Sequence, residues 1–279
     1  MRKIQKINGS VIFISIILLV ISNTGLAQSE TFSWPQGKKM ALSLSFDDAR
    51  TVQLTTAIPL LDEYGVKATF FLVSSSIEQN LQGWKDAVKE GHEMGNHTFN
   101  HPCGVSPSGS GGSNRLENKT LGEMKKELLD ANSQIKKLLG VTPKVFAYPC
   151  GQTYVGRGEN TKSYVPLVAK YFLAGRGWLG ESPNDPLICN FSQLSGMTMG
   201  DEMPFEKLLP ILQSAAKKGQ WVILVGHDVG KEIGRGHLDT RISTLKKLCE
   251  YAADPKNDIW IAPIGTIAEY VKSHKAKTF

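Results

Sequence analysis

Four short polar stretches, each standing where an apolar run gives out, limit what this chain can fold into more than its composition does. They are Ser45-Phe46-Asp47-Asp48, His97-Thr98-Phe99-Asn100-His101, Tyr148-Pro149-Cys150-Gly151 and Leu224-Val225-Gly226-His227. The runs ahead of them, Met40 to Phe46, a weaker Glu93 to Asn96, Lys144 to Ala147 and Trp221 to Val225, read as strands, with amphipathic helical patterns between them. Strands alternating with helices predict a parallel sheet. In a parallel α/β barrel the C-terminal strand ends meet on one face, so residues distant in sequence form one pocket.

The expected order is strand 39–47, helix 52–64, strand 67–73, helix 80–91, strand 93–97, helix 121–139, strand 144–148, helix 162–172 and strand 173–176. Helix 204–219, strand 221–227, helix 239–253, strand 258–262 and helix 265–273 complete it. A chain of 279 residues with 41% hydrophobic content can bury one substantial core, which fits a single catalytic domain over 28–279. No repeat at a fixed period points to a solenoid or propeller.

Chemistry follows from residue types. Two histidines four apart on a helical turn have Cβ atoms about 5–6 Å apart, close enough to share one cation. One carboxylate of the Asp47-Asp48 pair completes a two-histidine, one-carboxylate set with open positions, the signature of a catalytic metal. Adjacent side chains on a strand diverge, so the other carboxylate is free to serve as a base. His227 is the candidate acid, because an imidazole titrates near neutrality. Each piece alone has an ordinary reading: Asp-Asp as a helix cap, Pro149-Cys150-Gly151 as a turn, His227 as a buried, hydrogen-bonded histidine. Their joint placement at strand ends is what points to a site.

These four segments resemble the polysaccharide deacetylases of the NodB-homology type, carbohydrate esterase family four. The likeness extends over nearly all of the chain after residue 35 and implies an irregular, incompletely closed (β/α)7-type barrel. It implies that Asp47 is the general base and that Asp48, His97 and His101 hold a divalent ion, Zn²⁺ first among candidates. The family's R-x-P-Y-G segment corresponds to Ala147-Tyr148-Pro149-Cys150-Gly151, which makes Tyr148 and Pro149 substrate-site residues and the Cys150 N–H an oxyanion donor. The late hydrophobic-x-x-His segment maps onto Leu224 to His227, with Leu224 expected to line an acetyl-methyl pocket and His227 to protonate the leaving group.

Two family features are absent. The arginine that orients the base is Ala147 here, and the aspartate-tryptophan segment that partners the acid histidine reads Ala174-Gly175-Arg176-Gly177-Trp178. Arg176, at the end of a short strand, is expected either to reach the Asp47 carboxylate from another side or to lie on the surface. Trp178 either walls the pocket or packs in the core. Asp228 and Asp201 are alternative partners for His227.

At the N-terminus Arg2, Lys3 and Lys6 precede an apolar run from Val11 to Ile21, and Gly25-Leu26-Ala27 offers small residues for cleavage. That pattern reads as a signal peptide over 1–27 and a secreted or periplasmic protein. Eleven apolar residues are short for a membrane span. The positive balance, +6 overall, is not arranged as basic clusters interleaved with aromatics, so no nucleic-acid partner is expected. An oxidising compartment would permit disulfides among Cys103, Cys150, Cys189 and Cys249. A Cys103–Cys150 bridge is one reading and four unpaired thiols the other. The glycine-rich stretch from Cys103 to Lys119 reads as a loop that either borders the substrate groove or is simply solvated.

The expected partner is an acetylated polysaccharide or oligosaccharide, with N-acetyl favoured over the O-acetyl of xylan. Two further classes stay open. A silent glycan-binding protein would explain the missing arginine and aspartate, and a non-haem iron oxygenase would share the ligand set.

Overall fold

The computed structural model describes residues 31–104, 114–231 and 238–275. The expected signal peptide, and residues 105–113 of the glycine-rich loop, lie outside the described residues. The chain runs through β1 (Met40–Asp47), α1 (Ile58–Glu63), β2 (Thr69–Leu72), α2 (Leu81–Lys89), β3 (Glu93–Asn96), α3 (Leu121–Leu139) and β4 (Val145–Ala147). It continues through β5 (Tyr154–Val155), β6 (Lys162–Ser163), α4 (Val165–Tyr171), β7 (Ala174–Arg176), β8 (Met197–Thr198), α5 (Phe205–Lys218) and β9 (Trp221–Gly226). β10 (Asp228–Gly230), β11 (Asp239–Arg241), α6 (Ile242–Ala253), β12 (Ile259–Ile261) and α7 (Ile264–Lys275) follow.

Eight strands form one parallel sheet in the order β7-β4-β3-β2-β1-β9-β8, with β12 beside β1. One edge of β1 is shared: β12 pairs with Met40–Leu42 and β2 with Ser45–Asp47, while β9 runs along the other edge. Leu194 bridges Arg176, so the segment leading into β8 meets the outer edge of β7 and the sheet curls toward closure. This is the irregular barrel expected.

The strand alternation sorts side chains onto two faces. Leu42, Leu44 and Phe46 of β1, with Phe70, Leu72, Val222 and Leu224, pack against α1, α2, α3, α5 and α6. Ala41, Phe71, Trp221 and Ile223 face the other way, onto α7 residues Ile264, Ile267, Ala268 and Val271. Polar side chains on that inner face are satisfied: the Ser43 hydroxyl donates to Ala262 O at 2.9 Å and accepts from Trp221 Nε1 at 3.1 Å, and the Ser45 hydroxyl donates to Leu224 O at 3.0 Å. Asp47 is next on this face, which brings its carboxylate to the C-terminal mouth of the sheet.

Helix ends follow local signals. Thr120 and Glu123 form a capping box at the start of α3, and Gly140 ends it in the left-handed region, so both ends fall where the sequence places them. The expected helix 52–64 instead opens with a π-helical turn, Gln53–Ala57, before α1. Among the described residues no helix is long and apolar enough to cross a membrane.

Candidate active site

Asp47 and Asp48 end β1, and the backbone turns sharply there: φ is 80° at Asp48 and 57° at Ala49, both left-handed. Both carboxylates still reach the same mouth, with Asp47 Oδ2 3.9 Å and Asp48 Oδ1 3.5 Å from His97 Nε2, but their other partners differ. Asp47 is 2% exposed and meets Nη2 of Arg176, which is fully buried, with its Nη1 donating to Gly177 O at 2.9 Å and its guanidinium 4.7 Å from the Phe71 ring centroid. Arg176 is the cross-strand partner of Ala147 in the β4–β7 register. An arginine one strand away thus reaches the carboxylate from the position beside the family's missing one.

Asp48 Oδ1 lies 3.5 Å from the Nε2 atoms of both His97 and His101, and those two nitrogens are 3.1 Å apart. The expected helical turn between the histidines is not formed. After β3 the chain runs as a loop with left-handed residues at Thr98 (φ 66°) and His101 (φ 52°). The Asn96 side chain accepts from Thr98 N at 2.7 Å and the Thr98 hydroxyl from His101 N at 2.9 Å, so short polar side chains hold a compact turn in place of a helix. His97 Nδ1 sits 2.9 Å from Ala147 O, a carbonyl that can only accept, so an N–H is held there and Nε2 faces Asp48.

Charges in this cluster push one another apart. For Asp48 burial works upward, but the hydrogen bond and charge of His97, then His101 and His227, outweigh it and hold the carboxyl well below its usual range. Burial opposes the charged form of His97, yet Asp47 and Asp48 raise its pKa. Burial, then the neighbouring His97, takes His101 down to about 4. Two imidazole nitrogens and one carboxylate oxygen that lie within 4.8 Å of one another make a donor set suited to a divalent cation.

His227 directly follows β9, is 6% exposed, and packs edge-on against Trp178 with ring centroids 5.2 Å apart. Burial lowers its pKa, against the opposing pull of Asp47 and Asp48. Its Nδ1 is buried without a hydrogen-bond partner among the described residues. Of the two aspartates suggested as its partner, Asp201 pairs with Arg241 at 2.6 Å and Asp228 with Arg50 at 2.7 Å.

Cys150 is joined to Cys103 by a disulfide, which ties the loop after His101 to the turn after β4. The backbone at Cys150 is left-handed, φ 53°. Three expected site residues stand elsewhere. The Tyr148 side chain turns into a cluster with Phe146 and Tyr164, its hydroxyl donating to Ser192 O at 2.7 Å, and Pro149 is buried beside it. Leu224 belongs to the helix-facing core; Val225, two residues before His227, shares the inner face, and a Cβ on Gly196 would meet both Val225 and Arg176.

Arg50 and Gln53 join the site without a sequence motif of their own. Arg50 bridges Asp48 and Asp228, and fully buried Gln53 donates through Nε2 to Asp47 O at 2.6 Å and His227 O at 2.9 Å. The only signal was position, directly after the Asp-Asp pair.

Fold and cluster together define an irregular parallel α/β barrel with a candidate cation site at the C-terminal ends of its strands. Residues 35–164 match the family model for polysaccharide deacetylase, and the chain carries a domain of that family, whose members are hydrolases acting on acetyl groups. Peptidoglycan-N-acetylglucosamine deacetylase of Bacillus cereus is 24% identical over 196 residues, 66% of either chain. The uncharacterized protein YlxY of Bacillus subtilis is 38% identical over 98 residues, 35% of this chain and 27% of that one. This chain therefore spans about a quarter of one curated relative and just under two thirds of the other. A crystal structure from Mycobacterium smegmatis, assigned as a polysaccharide deacetylase, superposes with a TM-score of 0.62 at 18% identity, covering 88% of this chain and 94% of that one, which shows the shared fold.

Proposed function

We propose that this chain is an exported, metal-dependent deacetylase that hydrolyses N-acetyl groups of a polysaccharide. The observation that carries the reading is the division of labour at the end of β1: Asp48 faces two imidazole nitrogens at 3.5 Å, while its neighbour Asp47 is held by a buried arginine and stands 3.9 Å from His97 Nε2. The Bacillus cereus relative, named for N-acetylglucosamine in peptidoglycan, supports the N-acetyl linkage over an O-acetyl ester.

Asp48, His97 and His101 would hold the ion, Zn²⁺ by the nitrogen and oxygen donors present. When bound, such an ion polarises an acetyl carbonyl and acidifies water. Asp47 takes the proton of the attacking water, and Arg176 keeps that carboxylate aimed. The Cys150 N–H is the oxyanion donor, worth about 2.7–4 kcal/mol in the transition state. His227 delivers a proton to the departing amine, and Trp178 against its ring walls the acetyl pocket with Val225.

Acetate release tests this. The chain from residue 28, stripped of metal and restored with Zn²⁺, should release acetate from N-acetylglucosamine oligomers or peptidoglycan faster than from acetylxylan, and Asp47→Asn should not. Metal bound with no release from any of the three would sink the reading. Export predicts that protein recovered outside the cytoplasm begins at Gln28, as intact mass would show.

A further inference from the structure

Arg50 has no part in the chemistry above, yet it holds one of the three groups proposed to bind the ion. Its Nη2 donates to Asp48 Oδ2 at 2.7 Å and its Nε to the same oxygen at 3.1 Å. Its Nη1 donates to Asp228 Oδ2 at 2.7 Å. The other Asp48 oxygen, Oδ1, is the one 3.5 Å from both histidine Nε2 atoms. The two oxygens of this carboxylate therefore have separate assignments, one to the imidazoles and one to the guanidinium.

The backbone makes this possible. Left-handed φ values at Asp48 and Ala49 fold the chain back so that an arginine can reach the carboxylate two residues before it. Residues with a Cβ stay in that region only when their surroundings hold them. Here Asp48 N donates to Phe71 O at 3.1 Å, Gln53 Nε2 holds Asp47 O and His227 O, and Arg50 closes the turn from its side-chain end. Arg50, Asp48 and Asp228 are each partly buried, with side chains 20–27% exposed, so the contacts are sheltered from full solvent screening.

We propose that Arg50 is a positioning residue that fixes Asp48 as a one-oxygen metal ligand and links that ligand, through Asp228, to the segment carrying His227. It rests on the metal-dependent reading above. A guanidinium fork fixes the plane of a carboxylate, which an ammonium cannot. Outer partners of metal ligands commonly change metal affinity by about 10–100-fold. The sign of the effect separates positioning from charge alone. Removing a cation beside a metal ligand tightens metal binding if only electrostatics matter, and weakens it if orientation matters.

The test uses the full chain, made metal-free by chelation, as wild type, Arg50→Met, Arg50→Lys and Asp228→Asn. Zn²⁺ affinity is read by competition with a chromophoric chelator, the Co²⁺ derivative by its absorption spectrum, and the metal-free proteins by melting temperature. Expected are a loss of about 10–100-fold in Zn²⁺ affinity and a changed Co²⁺ spectrum for Arg50→Met, with partial recovery in Arg50→Lys and a smaller loss in Asp228→Asn. Zn²⁺ binding by Arg50→Met within twofold of wild type, or tighter, would overturn the proposal. If Arg50→Met does not fold, Arg50→Lys with wild-type affinity overturns it instead. Wild type that binds no metal would overturn the metal-dependent reading and this inference together, whereas a metal-binding wild type with unaltered variants overturns this inference alone.

Discussion

Asp47 and Arg176 are both buried, and each is tolerable there because of the other. Breaking a buried pair from one side leaves an uncompensated charge, so Arg176→Ala should cost about 3–5 kcal/mol in urea unfolding. Replacing both by leucine should restore most of that stability while leaving no activity, which separates the fold's need from the reaction's. Asp47→Asn should lower turnover by about 10²–10⁴-fold with Zn²⁺ affinity little changed, since it removes a base and not a ligand. The residues of the site were legible because carboxylates and imidazoles at strand ends have few other reasons to gather. Arg176 was legible as one of two options, because the strand-end position was visible but its direction was not. Arg50 was not legible: its reach depends on a left-handed turn at Asp48 and Ala49, where no glycine announces one. Counting by two from His227 would have named Val225 in place of Leu224.

At the level of elements, the mouth of the sheet leaves little room. A Cβ on Gly196 would sit 2.4 Å from Arg176 Cδ and 2.5 Å from Gly177 O, and the backbone oxygen cannot step aside. Gly196→Ala should therefore destabilise by about 1–3 kcal/mol and reduce kcat by shifting Arg176, with both read on the same preparation. At the opposite end of the strands, Glu93 of β3 accepts from Gly265 N at 2.9 Å and from the Thr69 hydroxyl at 2.7 Å, while Thr69 accepts from Ile264 N at 2.9 Å, so β2 and β3 together cap α7. Burial raises the Glu93 pKa above its ordinary 4.5 despite those bonds. Folding thus favours the protonated form more than the unfolded chain does, and that contribution to stability is full below pH 4.5 and lost as pH rises through the raised value. Glu93→Gln should gain on wild type between pH 4 and 7 in chemical unfolding; a difference that does not vary with pH would contradict this. Long elements with caps or strong periodicity, such as α3 and β1, were readable from sequence. β8 and the short pairs β5–β6 and β10–β11 were not, because two or three residues carry no period to read.

Across the molecule, the Cys103–Cys150 disulfide joins the loop after His101 to the turn carrying the proposed oxyanion donor. Closing a loop with a sequence separation of 47 is worth about 4 kcal/mol by chain entropy. Paired Cys103→Ser and Cys150→Ser should lower the melting temperature and, more tellingly, reduce kcat at temperatures where the variant remains fully folded. Free Cys189 and Cys249 should account for all reactive thiol in the unreduced, denatured protein.

The shared edge of β1 also bears on how the chain is made. Met40 pairs with Ile259, so the first strand of the sheet lacks its partner there until a residue 219 positions further on has been synthesised. Contacts so distant in sequence form late, and an apolar strand with one edge open is a template for other chains meanwhile. The Met40 to Leu42 edge of β1 therefore waits for the last strand of the sheet to be made before it is covered.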